Sequence, residues 1–259
     1  MNSEDDFDCG WDNRVTRRSD WVYRTPRFPD REPQLRREAR LLPWLAAQLS
    51  SGVPTAEVVS ESPFTVRHRY VPGGPCPGTA PEHGQAVGRF LRALHALDPQ
   101  KAEQHGARDP SDSLRELRET LARMERDVLP LLPKRRRQDG AGLLNRMRTP
   151  PPYLALVHGD LGPEHIRVVE DRVSGIIDWG DSCVFDPALD LAWAVAGAGP
   201  DFSAAVVSEY QPAEDLLERA RDWHLLGPWH EVLYGLGAGG PDFVKSGMAG
   251  VVSRLDAFL

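Results

Sequence analysis

Two short apolar runs in the second half of the chain constrain its fold more than any other feature. The run YLALV ends at Val157 and the run GIIDW ends at Trp179, and the segment between them is charged and contains glycine. Apolar runs of about 4–8 residues are typical of strands buried on both faces. We therefore predict two buried strands that bracket a loop rich in His and Asp, and this loop is where chemistry is expected.

Carboxylates and imidazoles are concentrated around these two strands. The residues are His158, Asp160, His165, Asp178, Asp181, Asp186 and Asp190. A buried carboxylate is costly unless it is compensated, so the cluster indicates a metal site, an acid/base site or both. Turn formation explains Asp171 and, in part, Asp181 and Asp186. Asp160 and Asp178 each lie close to the end of an apolar strand, where a side chain reaches into a crevice.

Phosphoryl transfer needs two carboxylates in such an arrangement. One orients the attacking hydroxyl and accepts its proton, and the other helps to hold the magnesium ion that bridges the phosphates of a nucleotide. Asp160 and Asp178 suit these tasks. A metal-dependent phosphoesterase is an alternative, because the same two aspartates, with His158 and His165, are potential ligands of a transition-metal centre.

A segment rich in Pro and Gly, VPGGPCPG, divides the chain into two parts with different patterns. Before it, VTRRSDWVYRTPR predicts a β-hairpin, PQLRREARLLPWLAAQL predicts a helix kinked or broken at Pro43, and PFTVRHRY predicts a half-buried strand. After it, helical spacings dominate, as in EHGQAVGRFLRALHAL. SDSLRELRETLARMERDVLPLL predicts a helix with Ser111 or Ser113 as its N-cap. We predict a small lobe over residues 1–78 and a larger, mainly helical lobe over residues 79–259.

Composition excludes several other classes of protein. The net charge of −7 argues against a general nucleic-acid binder. The apolar stretches are shorter than the ~20 residues of a membrane-spanning helix, and the acidic start MNSEDDFD does not look like an export signal. Cys9, Cys76 and Cys183 are widely spaced and predict neither a disulfide framework nor a zinc site. We expect a cytoplasmic protein with no nucleic-acid or membrane partner.

The segments VHGDLGPEHI and GIIDWGDSCVFDPALDLAW resemble the catalytic and metal-binding segments of the aminoglycoside phosphotransferase family, relatives of the eukaryotic protein kinases. The resemblance implies an α+β, bilobal, protein-kinase-like fold with a small β-rich N-terminal lobe. It implies that Asp160 is the catalytic base, Asp178 a magnesium ligand and Asp190 a brace for the catalytic loop, with His158 in a structural role. His165 stands where the family usually has Asn, as in some members that resemble macrolide phosphotransferases, and is the second candidate metal ligand.

Weaker similarities extend to the N-terminal part of the chain. CGWDNRV resembles the nucleotide-covering loop, which implies nucleotide contacts from Gly10 and Asn13. WVYRTPR resembles the phosphate-contacting strand, and RREARLLPWL the helix whose glutamate pairs with that strand's cation. No lysine precedes Lys101, so the resemblance assigns the phosphate contact to Arg24, paired with Glu38. Arginine keeps the charge and binds phosphate through two nitrogens, but it is longer and planar.

The resemblance implies transfer of the γ-phosphoryl group of ATP or GTP, with Mg²⁺, to a hydroxyl of a small molecule such as an aminoglycoside or a macrolide. An acidic chain suits a polycationic acceptor, whereas Trp223, Trp229 and Tyr234 would suit a less polar one. The missing lysine and His165 leave a catalytically inactive, kinase-like binding protein as a further alternative. We expect a monomer or a weak dimer.

Overall fold

The computed structural model describes residues 5–6, 12–49 and 52–258. The strands are β1 (Asp5–Asp6), β2 (Asn13–Arg18), β3 (Trp21–Pro26), β4 (Glu57–Glu61), β5 (Phe64–Arg69), β6 (Gly74–Pro75), β7 (Ala155–Val157), β8 (Ile166–Val169), β9 (Arg172–Ile176) and β10 (Cys183–Phe185). The α-helices are α1 (Glu32–Gln48), α2 (Pro81–His95), α3 (Pro99–His105), α4 (Pro110–Arg123), α5 (Arg137–Met147), α6 (Ala188–Ala196), α7 (Pro200–Tyr210), α8 (Glu214–Tyr234) and α9 (Pro241–Phe258). A small N-terminal sheet with one long helix is thus followed by a larger, mainly helical part, as predicted.

The N-terminal sheet is antiparallel, with the strand order β1-β2-β3-β5-β4 in the described residues. Strands β2 and β3 pair from Asn13 opposite Pro26 to Arg18 opposite Trp21, which leaves a two-residue turn in which Ser19 has a φ of 53°. The predicted hairpin is therefore confirmed. Strand β5 alternates as expected, because Phe64, Val66 and His68 are buried and the residues between them are less so.

Helix α1 packs against this sheet through a stripe of buried residues. Leu35, Glu38, Leu42 and Leu45 recur at intervals of three or four and therefore share one face. This spacing places the Glu38 carboxylate inside the protein. The sequence predicted a kink or a break at Pro43, and the break is wrong, since the helix continues to Gln48. Packing of the leucines in the core offsets the cost of proline inside a helix, about 3 kcal/mol.

Strand β4 was not predicted from the sequence. Its residues Val58 and Val59 are both partly exposed at the edge of the sheet, 48% and 41%, so the segment lacks the alternation that marks a half-buried strand. The pairing with β5 also shifts register between Val58 and Ser60. Because β4 lies at the edge of the sheet and pairs irregularly, its sequence does not show the alternation of apolar and polar residues that predicts a strand.

The Pro- and Gly-rich segment between the two parts is fixed to the larger part. Strand β6 pairs with β8, with Gly74 opposite Val168 and Pro75 opposite Arg167. Gly73 has a φ of 110°, and a side chain there would collide with the Val168 carbonyl. The segment predicted as a hinge therefore forms the third strand of the sheet β6-β8-β9, which also carries the loop with the candidate site.

The larger part packs helices around two small sheets. Helix α2 packs on α7, and α8 packs on α6 and α9. The second sheet pairs β10 with β7. The N-cap of α4 is Asp109, whose carboxylate accepts a hydrogen bond of 2.7 Å from the Ser111 amide, so the predicted serine cap is wrong. Among the described helices, none combines the length and apolarity needed to cross a membrane.

Candidate active site

The loop that follows β7 carries Asp160 at the surface of a cleft. Gly159 has a φ of 91°, and a side chain at this position would press against the Asp181 backbone. Glycine is therefore required for the chain to turn here. After this turn the Asp160 carboxylate is 63% exposed.

The buried Asp190 carboxylate at the start of α6 holds this loop. It accepts hydrogen bonds from the His158 amide (2.7 Å), the Gly159 amide (3.0 Å) and His95 Nε2 (3.2 Å). Burial alone would raise the pKa of Asp190, but the interactions with His95, His158 and the Gly159 amide outweigh it and lower the pKa. The prediction that Asp190 braces the catalytic loop is confirmed.

His95 was missed by the sequence analysis. Its side chain is 3% exposed, and its Nδ1 lies 2.8 Å from the Tyr210 hydroxyl while Nε2 contacts Asp190. Burial raises the pKa of Tyr210, so the phenol stays protonated. A series of hydrogen bonds therefore runs from Tyr210 on α7 through His95 on α2 to Asp190, which holds the catalytic loop. The available signal was an imidazole four residues after Leu91, on the buried face of a predicted helix.

His158 has the structural role that the resemblance implies. Its Nε2 donates to the Ile177 carbonyl at 2.9 Å, so the Nδ1 lone pair accepts from the Asp160 amide at 3.3 Å. The ring also packs on the Trp179 ring at 4.7 Å. His158 thereby ties the catalytic loop to the strand that leads to Asp178.

His165 lies between Asp160 and Asp178. Its Nδ1 is 2.6 Å from the Asp160 carbonyl oxygen, which only accepts hydrogen bonds, so Nδ1 carries the proton. Nε2 faces the Asp178 carboxylate at 3.7 Å. The structure therefore places both candidate metal ligands beside the candidate base.

Asp178 adopts a backbone conformation that is uncommon for residues other than glycine, with a φ of 65°. Such conformations cost about 1–3 kcal/mol and cluster at functional sites. The carboxylate is 54% exposed and lies 3.4 Å from Arg24 Nη2. Asp178 thus joins the loop of the larger part to the N-terminal sheet.

Arg24 on β3 forms an ion pair with Glu38 on α1, as the sequence predicted. Burial opposes the charge of Arg24, but the Glu38 and Asp178 carboxylates outweigh this effect and raise its pKa. Burial raises the pKa of Glu38, and the Arg24 charge opposes that shift. In the described part of the chain, Arg24 is the only cation on a strand that contacts Asp178. Its ion pair with Glu38 holds it in the cleft.

The two remaining predicted nucleotide contacts are placed differently. Asn13 begins β2, opposite Pro26, and its buried Oδ1 has no hydrogen-bond partner among the described residues. Gly10 lies outside the residues that the structure describes. Nucleotide contacts by Asn13 and Gly10 stay predictions.

Comparison with known proteins identifies the family. The model of the phosphotransferase enzyme family matches residues 6–229. The chain belongs to this family. Viomycin phosphotransferase of Streptomyces vinaceus is 31% identical over 165 residues, which are 59% of this chain and 56% of that protein.

Solved structures share the fold of this phosphotransferase. The apoenzyme of a macrolide 2'-phosphotransferase from Brachybacterium faecium superposes with a TM-score of 0.78 at 24% identity, over 97% of this chain and 91% of the other. The GDP complex of aminoglycoside 2'-phosphotransferase-IIIa gives a TM-score of 0.84 at 22% identity, over 100% and 94%. The predicted α+β, kinase-like fold with a small N-terminal sheet lobe is confirmed.

The phosphotransferase cleft carries an excess of negative charge. Burial and the charges of Asp160 and Asp178 raise the pKa of Asp181, which accepts a hydrogen bond of 3.2 Å from Gln34. A divalent cation beside Asp178 would offset this repulsion.

Within the described ranges no three His, Cys, Asp or Glu side chains are placed to hold a metal by themselves. Magnesium fits nonetheless, because it usually takes one or two carboxylates and completes its shell with water and substrate phosphates. The phosphoesterase alternative needs a fuller protein ligand set and lacks it there.

A cavity of about 560 Å³ is lined in part by the Asp160 loop. Its walls come from the catalytic loop, β10, α4 and α8. The lining residues are Arg108, Ser113, Glu116, Leu117, Thr120, Gly159, Asp160, Asp181, Cys183, Phe185, Leu189, Trp223, Gly227 and His230. This volume lies in the range of small-molecule sites, about 300–1,000 Å³. Asp160 therefore lines a cavity of ligand size and also lies 3.7 Å from His165 in the phosphotransferase's charged cleft.

Proposed function

We propose that this chain transfers the γ-phosphoryl group of ATP or GTP to a hydroxyl of a small-molecule antibiotic, with Asp160 as the catalytic base. One observation carries the proposal. The exposed Asp160 carboxylate lies between the ligand-sized cavity and the cluster of Arg24, Glu38, His165 and Asp178. The relatives support the same reading, because their names specify phosphorylation of viomycin, a macrolide and an aminoglycoside, one of them with GDP bound.

The reaction follows from this arrangement. The acceptor hydroxyl reaches Asp160 from the cavity and gives its proton to the carboxylate as its oxygen bonds to the γ-phosphorus. The bond from that phosphorus to the β-phosphate oxygen breaks, and the nucleoside diphosphate leaves. His165 Nδ1 donates to the Asp160 carbonyl and so fixes the backbone of the base.

Arg24 and Asp178 position the nucleotide in this proposal. Arg24 is held by Glu38 and directs a second nitrogen toward Asp178, where it is available to phosphate oxygens. Asp178, with His165 as a second candidate ligand, would hold magnesium, which neutralises charge on the phosphates when bound. Residues 1–78 would form the nucleotide-binding lobe and residues 79–259 the catalytic lobe.

Incubation with ATP or GTP, Mg²⁺ and a panel of aminoglycosides, macrolides and peptide antibiotics tests the proposal. We expect nucleotide turnover that depends on an acceptor, and a product whose mass has increased by one phosphoryl group. Nucleotide binding without any transfer would favour the alternative of an inactive, kinase-like binding protein. Absence of both binding and transfer would sink the proposal.

Asp178→Ala should abolish magnesium-dependent nucleotide binding. The change removes the exposed carboxylate that faces both Arg24 and His165. Calorimetry of nucleotide binding with and without Mg²⁺ measures the effect, and Asp171→Ala in the exposed β8–β9 turn is the matched control. If Asp178→Ala binds the nucleotide with the metal dependence of the unmodified protein, the metal is held elsewhere.

A further inference from the structure

Apart from Arg108, Glu116, Asp160 and Asp181, the cavity is lined by neutral and apolar side chains. Helix α4 contributes Leu117 and Thr120, strand β10 contributes Phe185, and helix α8 contributes Trp223 and His230. In the described residues, no carboxylate of α8 lines the cavity. This wall offers apolar surface and neutral polar atoms to a ligand.

A buried carboxylate fixes Trp223, one of the residues of this wall. Trp223 Nε1 donates to Asp186 at 2.7 Å, and the Arg219 guanidinium contacts the same oxygen. The Phe185 ring meets the Trp223 ring edge-on, with centroids 5.8 Å apart. The indole is therefore held in one orientation before any ligand arrives, which reduces the entropy lost when a ligand binds.

The cavity offers two carboxylates, Asp160 and Asp181, that have no arginine or lysine partner among the described residues, which matches a ligand with one or two charges. Arg108 lies in the wall and pairs with Glu116 at 2.7 Å, so these two side chains together are neutral. On α8, Asp222 points away to Arg146, with the two side chains 2.6 Å apart. A ligand with several ammonium groups would meet the Arg108 guanidinium, and of the three carboxylates in the lining Glu116 is already held by Arg108.

The face of α8 that lines the cavity continues beyond it to Tyr234. Trp223, Gly227, His230 and Tyr234 recur at helical intervals and share one face. The Tyr234 ring meets the Phe243 ring edge-on at 4.9 Å, and both side chains stay partly exposed, 38% and 36%. An aromatic rim thus follows the cavity at the end of the helix.

We infer that the acceptor is a large amphiphile with a broad apolar face and at most one or two charges, such as a macrolide, and not a polycation. The inference rests on the proposed function, since it assigns the cavity to the acceptor. The apolar face of the acceptor lies against Phe185 and Trp223 and continues toward Tyr234. Thr120 and His230 are specificity-determining residues that contact its neutral polar groups.

A carboxylate introduced into the wall tests the inference. Thr120→Asp adds a charge inside the cavity, whereas Ala122→Asp adds the same charge to an exposed position on the same helix. Erythromycin and kanamycin are the probes. Binding is followed by calorimetry without nucleotide, and transfer by mass spectrometry with ATP or GTP and Mg²⁺.

The unmodified protein and Ala122→Asp should bind erythromycin about tenfold more tightly than kanamycin. Thr120→Asp should lose about tenfold of the erythromycin affinity, because binding would remove water from an unpaired carboxylate. Three results would overturn the inference: tighter binding of kanamycin, binding of neither probe, or an unchanged erythromycin affinity in Thr120→Asp.

Measuring binding and transfer separately distinguishes the two proposals. Erythromycin binding without transfer supports this cavity assignment and counts against the proposed reaction, whereas transfer to kanamycin alone does the reverse.

Discussion

Asp160→Asn should lower kcat for phosphoryl transfer by about 10²–10⁴-fold, the usual contribution of a general base, while the Kd for nucleotide stays unchanged. Asn keeps the shape of the side chain but does not accept the acceptor's proton. The carboxylate is 63% exposed and lies 3.7 Å from His165 Nδ1, beyond hydrogen-bond range. Its loss therefore removes chemistry without leaving a buried group unpaired. Single-turnover kinetics at saturating nucleotide, with calorimetry for binding, measure the two quantities separately.

Asp171→Asn is the matched control for this experiment. Asp171 is exposed in the turn between β8 and β9, in the same hairpin that follows the catalytic loop. The same chemical change at this position should leave kcat and the melting temperature as they are. If Asp160→Asn keeps the kcat of the control, Asp160 does not act as the base and another group accepts the proton.

The parts of the site that depend on local pattern were predictable. The catalytic loop followed from the apolar runs on either side of it, a prediction that needs only the pattern of the chain over two strands. The Arg24–Glu38 pair was implied by the family resemblance. The structure gives its physical reason, because helical spacing places Glu38 on the buried face of α1.

The parts that depend on partners distant in sequence were not predictable in this way. His95 becomes important only because folding brings it to Asp190, and no spacing within α2 specifies that contact. Pro43 was expected to kink or break α1, but the helix is not broken, because the tertiary packing of Leu42 and Leu45 overrides the local preference of proline. The edge strand β4 gave no alternating pattern because both of its valines are partly exposed.

Acceptor preference shows the same limit. The acidic composition of the chain suggested a cationic ligand as readily as the tryptophans of α8 suggested an apolar one. The fold separates them, since Asp222 pairs with Arg146, Trp229 is buried in the core and Trp223 lines the cavity. Only the rotation of one helix, set by its packing on α6 and α9, decides which side chains a ligand meets.

Asp190→Asn should reduce the free energy of unfolding by about 3 kcal/mol, since hydrogen bonds to a buried charge are worth about 1.5–3 kcal/mol each. The new NH₂ group takes the place of one carboxylate oxygen and faces either the Gly159 amide or both the His158 amide and His95 Nε2, and the donors that it faces lose their acceptor. Because the catalytic loop then loses its brace, kcat should fall while the KM for nucleotide changes little. Denaturant unfolding at neutral pH measures the stability, and Asp201→Asn, exposed in the first turn of α7, is the control.

The effect of pH distinguishes a charged brace from simple packing. The pKa of Asp190 is lowered in the folded protein, so its carboxylate stabilises the fold at every pH above its unfolded value, about 3.9. That stabilisation is lost as the pH falls through the lowered, folded-state pKa. The difference in unfolding free energy between the unmodified protein and Asp190→Asn should therefore be constant from pH 7 to about 5 and shrink as the solution is acidified below about pH 4. A difference that stays constant into strong acid would mean that the side chain acts through its shape and not through its charge.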